Sequence, residues 1–168
     1  MAGAQWKMPP LAKVYEALGA LGDGRVRIED ARRASVTSSD GAKIYTVTYT
    51  VTSTVETSAD GVEISSNDNA SFWQGYLGYP AIATLIARGL IDADQDAIRA
   101  LAGVPWKKLN TRYRHDYDRT LEDVLQGAAA RGYDVDAIRA AALAVLEAVR
   151  KLAPRQGPRQ RPPRARSK

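Results

Sequence analysis

Cysteine is absent from the 168 residues, and histidine and phenylalanine occur once each. Without thiols the chain can hold no disulfide framework, thiol nucleophile or thiolate zinc site. Long apolar runs are missing too. The longest, Ala81 to Ala87, is far too short to cross a bilayer, and Met1 to Lys7 lacks the basic-then-apolar pattern of a secretory leader. The reading is a soluble cytoplasmic protein with no membrane partner. Acid is absent from Arg150 onward, where eight basic residues lie, so that residues 1–149 are net acidic although the whole chain is +5.

What is present is ordinary globular composition, 45% apolar and 26% charged, enough for one domain with a real core. We expect that domain to span 1–153. Residues 154–168, PRQGPRQRPPRARSK, are too rich in Pro, Arg and Gln to bury apolar surface against the entropy of ordering, and are expected to be a disordered basic tail. Such a tail attracts phosphate without specificity or merely aids solubility; specific binding must come from the body.

Within the body the periodicity changes from helical to alternating and back to helical, the order expected of an α+β fold. Leu11, Val14, Leu18 and Leu21 predict a helix over 9–21, stopped by Gly22 to Gly24. From Ile44 to Val55 valines and tyrosines alternate with threonines, predicting a long strand with one apolar and one polar face. Asp40-Gly41 and Asp60-Gly61 read as two-residue hairpin turns, so strands near 25–38 and 61–66 should flank it. The expectation is an antiparallel β-meander of three strands, or four if the first breaks near Asp30 to Arg33, packed with about five helices. That is too few strands for an OB barrel. Helices are expected from Pro80 to before Gly89, from Asp92 to before Gly103, from Thr120 to Arg131, and over 134–153. In the last, Val135, Ile138, Ala142, Val145, Val149 and Leu152 form a heptad-like seam, which serves either the core or a homodimer.

Enzymatic patterns fail on residue types. His115 with Asp116 and Asp118 has no recognised ligand spacing and reads as a surface or capping group. Asp92, Asp94 and Asp96 imitate a calcium loop, but Ala97 replaces the turn glycine and Gly103 the closing glutamate, so helix capping is expected. Gly19, Gly22 and Gly24 follow a helix and not a strand, unlike a dinucleotide fingerprint. No catalytic residue, metal or cofactor is expected.

Two segments exceed this background. Phe72 to Pro80 carries Phe72, Trp73, Tyr76 and Tyr79 interleaved with glycines that leave ring faces approachable, or else plugs the core. Trp106 to Arg119 interleaves Trp106, Tyr113 and Tyr117 with Lys107, Lys108, Arg112, Arg114 and Arg119. Rings that stack bases beside cations that reach phosphates are what a nucleic acid single strand requires. Tyr45 and Tyr49 share an apolar strand face, and Arg25 and Arg27 alternate with Val26 and Ile28; these either rim a cleft or only pack and solvate.

Together, Trp6-Lys7-Met8-Pro9-Pro10, the Thr-rich strand Ile44 to Val55, the run Phe72 to Pro80 and Trp106-Lys107-Lys108 resemble the ThermoDBP family, single-stranded DNA-binding proteins of hyperthermophilic archaea. The likeness covers most of residues 5–150. It implies a non-OB α+β domain, a cleft lined by apolar residues and flanked by basic ones, dimerisation, and service in DNA replication and repair. Carried to this chain, it implies an apolar lining of Trp73, Tyr76, Tyr79, Trp106 and Tyr113 and a basic flank of Lys107, Lys108, Arg112 and Arg114. The absence of cysteine and an excess of arginine over lysine agree with a hot habitat or with genome composition. The function expected is sequence-independent binding of single-stranded DNA, or RNA, by a homodimer. The alternative is a structural or regulatory protein-interaction domain with an incidental basic tail.

Overall fold

The computed structural model describes residues 3–54 and 57–164, and side chains outside 53–60. It is an α+β fold: a five-stranded open sheet and seven helices, one of them a single π-helical turn. Strand order follows the chain, β1 (Val26–Asp30), β2 (Arg33–Thr37), β3 (Ile44–Thr54), β4 (Thr57–Ser66) and β5 (Arg155–Gln156). The first four form the expected antiparallel meander, with the first expected strand broken at Asp30 to Arg33. Val55, the expected end of the long strand, lies outside the described residues.

Alternation along β3 does what its chemistry requires. Val47 and Tyr49 are buried with Ala34, Val36, Val62 and Ile64, while Thr50 on the opposite face is exposed. Against the apolar face lies helix α2 (Tyr79–Ala87), which touches β1 to β4, and against α2 packs α1 (Leu11–Gly22). Helix α1 also meets α3 (Gln95–Ala100), α5 (Tyr117–Ala130) and α6 (Val135–Leu152), so residues 14–20 are buried on every side and not along one stripe. Burying Tyr15 and Leu18 there stabilises the fold by about 1.5 to 3 kcal/mol each.

Capping chemistry sets the helix starts. Asp94, Asp116 and Asp134 each accept a backbone N–H in the first turn of α3, α5 and α6, so the Asp92 to Asp96 run caps a helix as its residue types suggested. Gly19 and Gly22 exist for packing: a Cβ on Gly19 would lie 2.5 Å from the Trp106 indole Nε1, and one on Gly22 2.4 Å from the Ile98 carbonyl oxygen.

Some expectations are corrected. Asp60-Gly61 is no turn: the ladder continues past it, Gly61 pairing with Thr52 and Thr54 with Thr57, because cross-strand pairing outweighs the local turn preference. Asp40-Gly41 sits in a longer loop, residues 38–43, closed by the Ser38 N–H to the Lys43 carbonyl at 2.9 Å. Trp106–Arg112 is itself a helix, α4, and Ala70–Gln74 forms the π-helical turn, ended by Gly75 at φ +72°. The heptad-like seam of α6 is spent on the core, with Ile138, Ala142, Val145 and Val149 buried inside their own chain.

The tail has no structure of its own but borrows some from the sheet. Arg155 and Gln156 pair in parallel with Glu63 and Ile64 as β5, and the Gly157 N–H donates to the Ile64 carbonyl at 3.0 Å. Composition alone predicted disorder here because the unpaired edge of β4, which supplies these partners, is invisible in the tail sequence. Residues 165–168 lie outside the described part.

Candidate nucleic-acid interface

A cleft of about 490 Å³ opens between the sheet, the π-helical turn, α1 and α4. Each wall traces to a local cause. Asp68, buried behind the turn, accepts the Ser71 hydroxyl at 2.6 Å and the Ser71 N–H at 3.1 Å. That hydroxyl in turn accepts the Gly78 N–H at 3.2 Å. The chain passes so close that a Cβ on Gly78 would stand 2.1 Å from the Asp68 carboxylate, so only glycine fits. This brace turns Trp73 outward, 68% exposed, edge-on to Phe72 with centroids 4.6 Å apart.

Tyr76 and Tyr79 continue the aromatic wall inward, and Tyr45 of β3 meets Tyr79 edge to face at 6.0 Å. The Tyr45 hydroxyl is pushed up to about 12 by burial and then by the Asp68 charge; that of Tyr76 also rises to about 12, through burial and then the neighbouring Tyr117 phenol. Burial first, then Tyr45, raises Tyr79 as well. All three phenols are neutral over the physiological range and present uncharged ring faces.

The floor is polar. Glu16, 3% exposed, lies 2.9 Å from the Lys13 Nζ and accepts the Asn110 side-chain N–H. Burial alone would lower the Lys13 ammonium, but the Glu16 carboxylate and then Tyr117 outweigh it and raise the group, so Lys13 stays charged. Its ammonium also lies over the Tyr117 ring, 5.0 Å from the centroid. Asn110 Oδ1 and Trp106 Nε1 are buried with no hydrogen-bond partner among the described residues, the indole nitrogen lying against Gly19 of α1.

At the mouth stand the exposed Lys107 and His115, while Arg25 lines the cleft with its side chain only 12% exposed. Arg25 is held by Asp23 at 3.0 Å and by the Thr37 carbonyl at 2.7 Å. His115 follows Arg114 in a turn where both adopt positive φ, 62° and 51°, a conformation that costs a side-chain-bearing residue about 1 to 2 kcal/mol. The turn is pinned by the His115 N–H donating to the Asn110 carbonyl at 2.8 Å.

Of the residues singled out from sequence, the structure brings Trp73, Tyr76, Tyr79, Trp106 and Lys107 into one lining. Trp106 is only 3% exposed and serves largely as packing. Lys108, Arg112, Tyr113 and Arg114 are not in that lining. Tyr113 is engaged elsewhere, donating its hydroxyl to Asp123 at 2.7 Å under the Arg119 guanidinium. The reason for Lys108 and Arg112 is helical: with α4 turning 100° per residue they lie on other faces than Trp106, Lys107 and Asn110, whereas Tyr113 and Arg114 follow the end of α4, where the chain leaves helical geometry. Sequence reading missed Lys13, Glu16, Asp68, Asn110 and Tyr117 as lining residues. The Lys13 and Glu16 spacing of three on a helix signals an ion pair, but nothing local marks it as buried. Among the described residues no cluster of three or more potential metal ligands occurs, and no helix is long and apolar enough to cross a membrane.

Compared with known proteins, residues 6–155 match the model of a family described as "Uncharacterised conserved protein UCP014422". No curated protein and no solved structure matches the chain. The chain belongs to that family.

Proposed function

We propose that this protein binds single-stranded DNA without regard to sequence, stacking bases in the aromatic cleft and holding phosphates at its basic mouth. The observation that carries the reading is the aromatic lining of the exposed Trp73 with Tyr76, Tyr79 and Tyr45, joined by the exposed cation Lys107. Ring faces accept any base, which accounts for sequence tolerance, and the cations add salt-sensitive backbone attraction. Titrating the full chain with oligothymidine and with duplex DNA, read by tryptophan fluorescence at two salt concentrations, tests this. Quenching by the single strand and little response to duplex is the expected result; equal response to both would reject the cleft as a stacking site. Running the same titration with oligouridine separates DNA from RNA.

Homodimerisation belongs to the same proposal, through a groove that takes only Val135 from the α6 seam. Leu11, Leu121, Leu125, Val135 and the 54% exposed Leu143 line it between α1, α5 and α6, with Asp118, Glu122 and Arg139 among its polar residues. Apolar side chains gathered at one groove favour a protein partner, here a second copy. Light scattering should show a dimer that Leu143→Asp reduces to monomer. A persistent monomer that ignores single strands would instead favour a protein-interaction domain.

A further inference from the structure

The basic tail carries a feature that neither general phosphate attraction nor sheet pairing explains. After β5 it is fastened at three points beyond the strand: the Gly157 N–H to Ile64 at 3.0 Å, the Ser65 hydroxyl to the Pro158 carbonyl, and the Gln160 amide to the Thr48 hydroxyl at 2.9 Å. The fastening delivers Arg159 onto Phe72, with the guanidinium 4.2 Å from the ring centroid and donating to the Phe72 carbonyl at 2.6 Å. Between the tail and the π-helical turn lies a second concavity of about 430 Å³, lined by Asn69, Phe72, Trp73, Arg159, Arg161 and Pro162.

Asn69 and Trp73 line both this concavity and the aromatic cleft. The exposed indole of Trp73 is therefore the ridge between two adjoining sites. On one side are neutral rings; on the other, a guanidinium already fixed by stacking and a second, Arg161, exposed and in no ion pair with a described residue. A planar fork held in place suits a phosphate, and a ring face beside it suits one more base.

We propose that Phe72, Trp73, Arg159 and Arg161 form a second nucleotide subsite, so that a single strand leaving the cleft crosses Trp73 and is held by the fastened tail. The inference rests on the single-strand reading above and adds a direction and a length to it. The strand must be long enough to pass the ridge before the tail contributes.

The test is a length series of oligothymidines, from dinucleotide to dodecanucleotide, bound to the full chain, to the double variant Arg159→Ala/Arg161→Ala and to Arg161→Glu alone. Arg161→Glu alters an exposed side chain and keeps the Arg159 stack, so it reads the subsite even if the double variant loosens the tail. Short oligomers that fill only the cleft should bind all three proteins equally. Longer ones should bind the wild type about tenfold more tightly than either variant, and the double variant should lower the salt slope by about 1.4, the value for two phosphate contacts on a single strand. An equal loss at every length would overturn the subsite in favour of general attraction by the tail. No loss at any length would overturn it outright, and tighter binding by the variants would show instead that the tail covers the site. Wild-type protein that binds no oligomer would remove the cleft reading itself, an outcome distinct from all of these.

Discussion

The floor and the lip of the cleft are built on opposite principles. The floor places Lys13, Glu16 and Asn110 out of water and ties them to one another, so its geometry is fixed and its charges are already spent. The lip, Trp73, Lys107 and His115, is exposed and makes few contacts that hold its side chains. Removing one partner of a buried polar pair is costly to stability, because it strands the other; exposed side chains can meet a ligand without first breaking anything. Mutations at the two levels should therefore separate folding from binding.

The sharpest break is expected at the floor. Lys13→Met leaves the Glu16 carboxylate buried without its counter-ion and should destabilise the fold by about 3 to 5 kcal/mol in denaturant titration. Trp73→Ala at the lip should weaken oligothymidine binding by about 1 to 3 kcal/mol, one stacked base, while shifting stability by less than about 0.5 kcal/mol. Trp106→Ala should do the reverse, with its main cost in folding; equal binding losses for the two would erase the distinction drawn here. His115→Gly removes a side chain from a left-handed turn and should stabilise the fold by about 1 kcal/mol while slightly weakening binding. Smallest is the contrast within α4: Lys107→Ala should reduce the salt slope of binding by about 0.7, and Lys108→Ala, outside the lining, should leave it unchanged.

Alkali offers a further probe of the floor. The Lys13 ammonium and the Tyr45 and Tyr76 phenols all have folded values raised above their ordinary ones, so the folded state keeps protons that the unfolded chain releases. Their contribution is complete below the unfolded values and is lost as pH rises from about 10 toward about 12 and beyond. Stability should fall over that range in denaturant titration, and Tyr45→Phe should make the fall shallower.

Much of this fold could be read from the chain because the relevant forces are local. Threonine alternation marked β3, aspartates marked the starts of α3 and α6, and glycines marked helix ends. What escaped depended on residues far apart in sequence. Glu16 looks like any helical carboxylate until Asn110 arrives from α4, and the Asp-Gly pair at 60–61 looks like a turn until Thr52 is found opposite. The aromatic run was legible as part of a cleft lining because no helical or strand periodicity used it up. The cations of 107–114 were over-read for a complementary reason: charge density along a sequence reveals neither which face of α4 meets the cleft nor that the helix ends before Arg114.

The β5 pairing also bears on how the chain is made. Residues 3–7 are clasped to 154–156, through Gln156 N–H to Ala4 at 2.7 Å, Trp6 N–H to Pro154 at 3.3 Å and Arg155 to Gly3 at 3.1 Å. During synthesis residues 3–6 must wait for residues 154–156 before these bonds can form. Closing so long a loop costs only logarithmically more entropy than a shorter one, so the penalty is delay more than instability. Until residues 155 and 156 reach Glu63 and Ile64, this edge of β4 stays bare, so the last strand to be made is the one that completes the sheet.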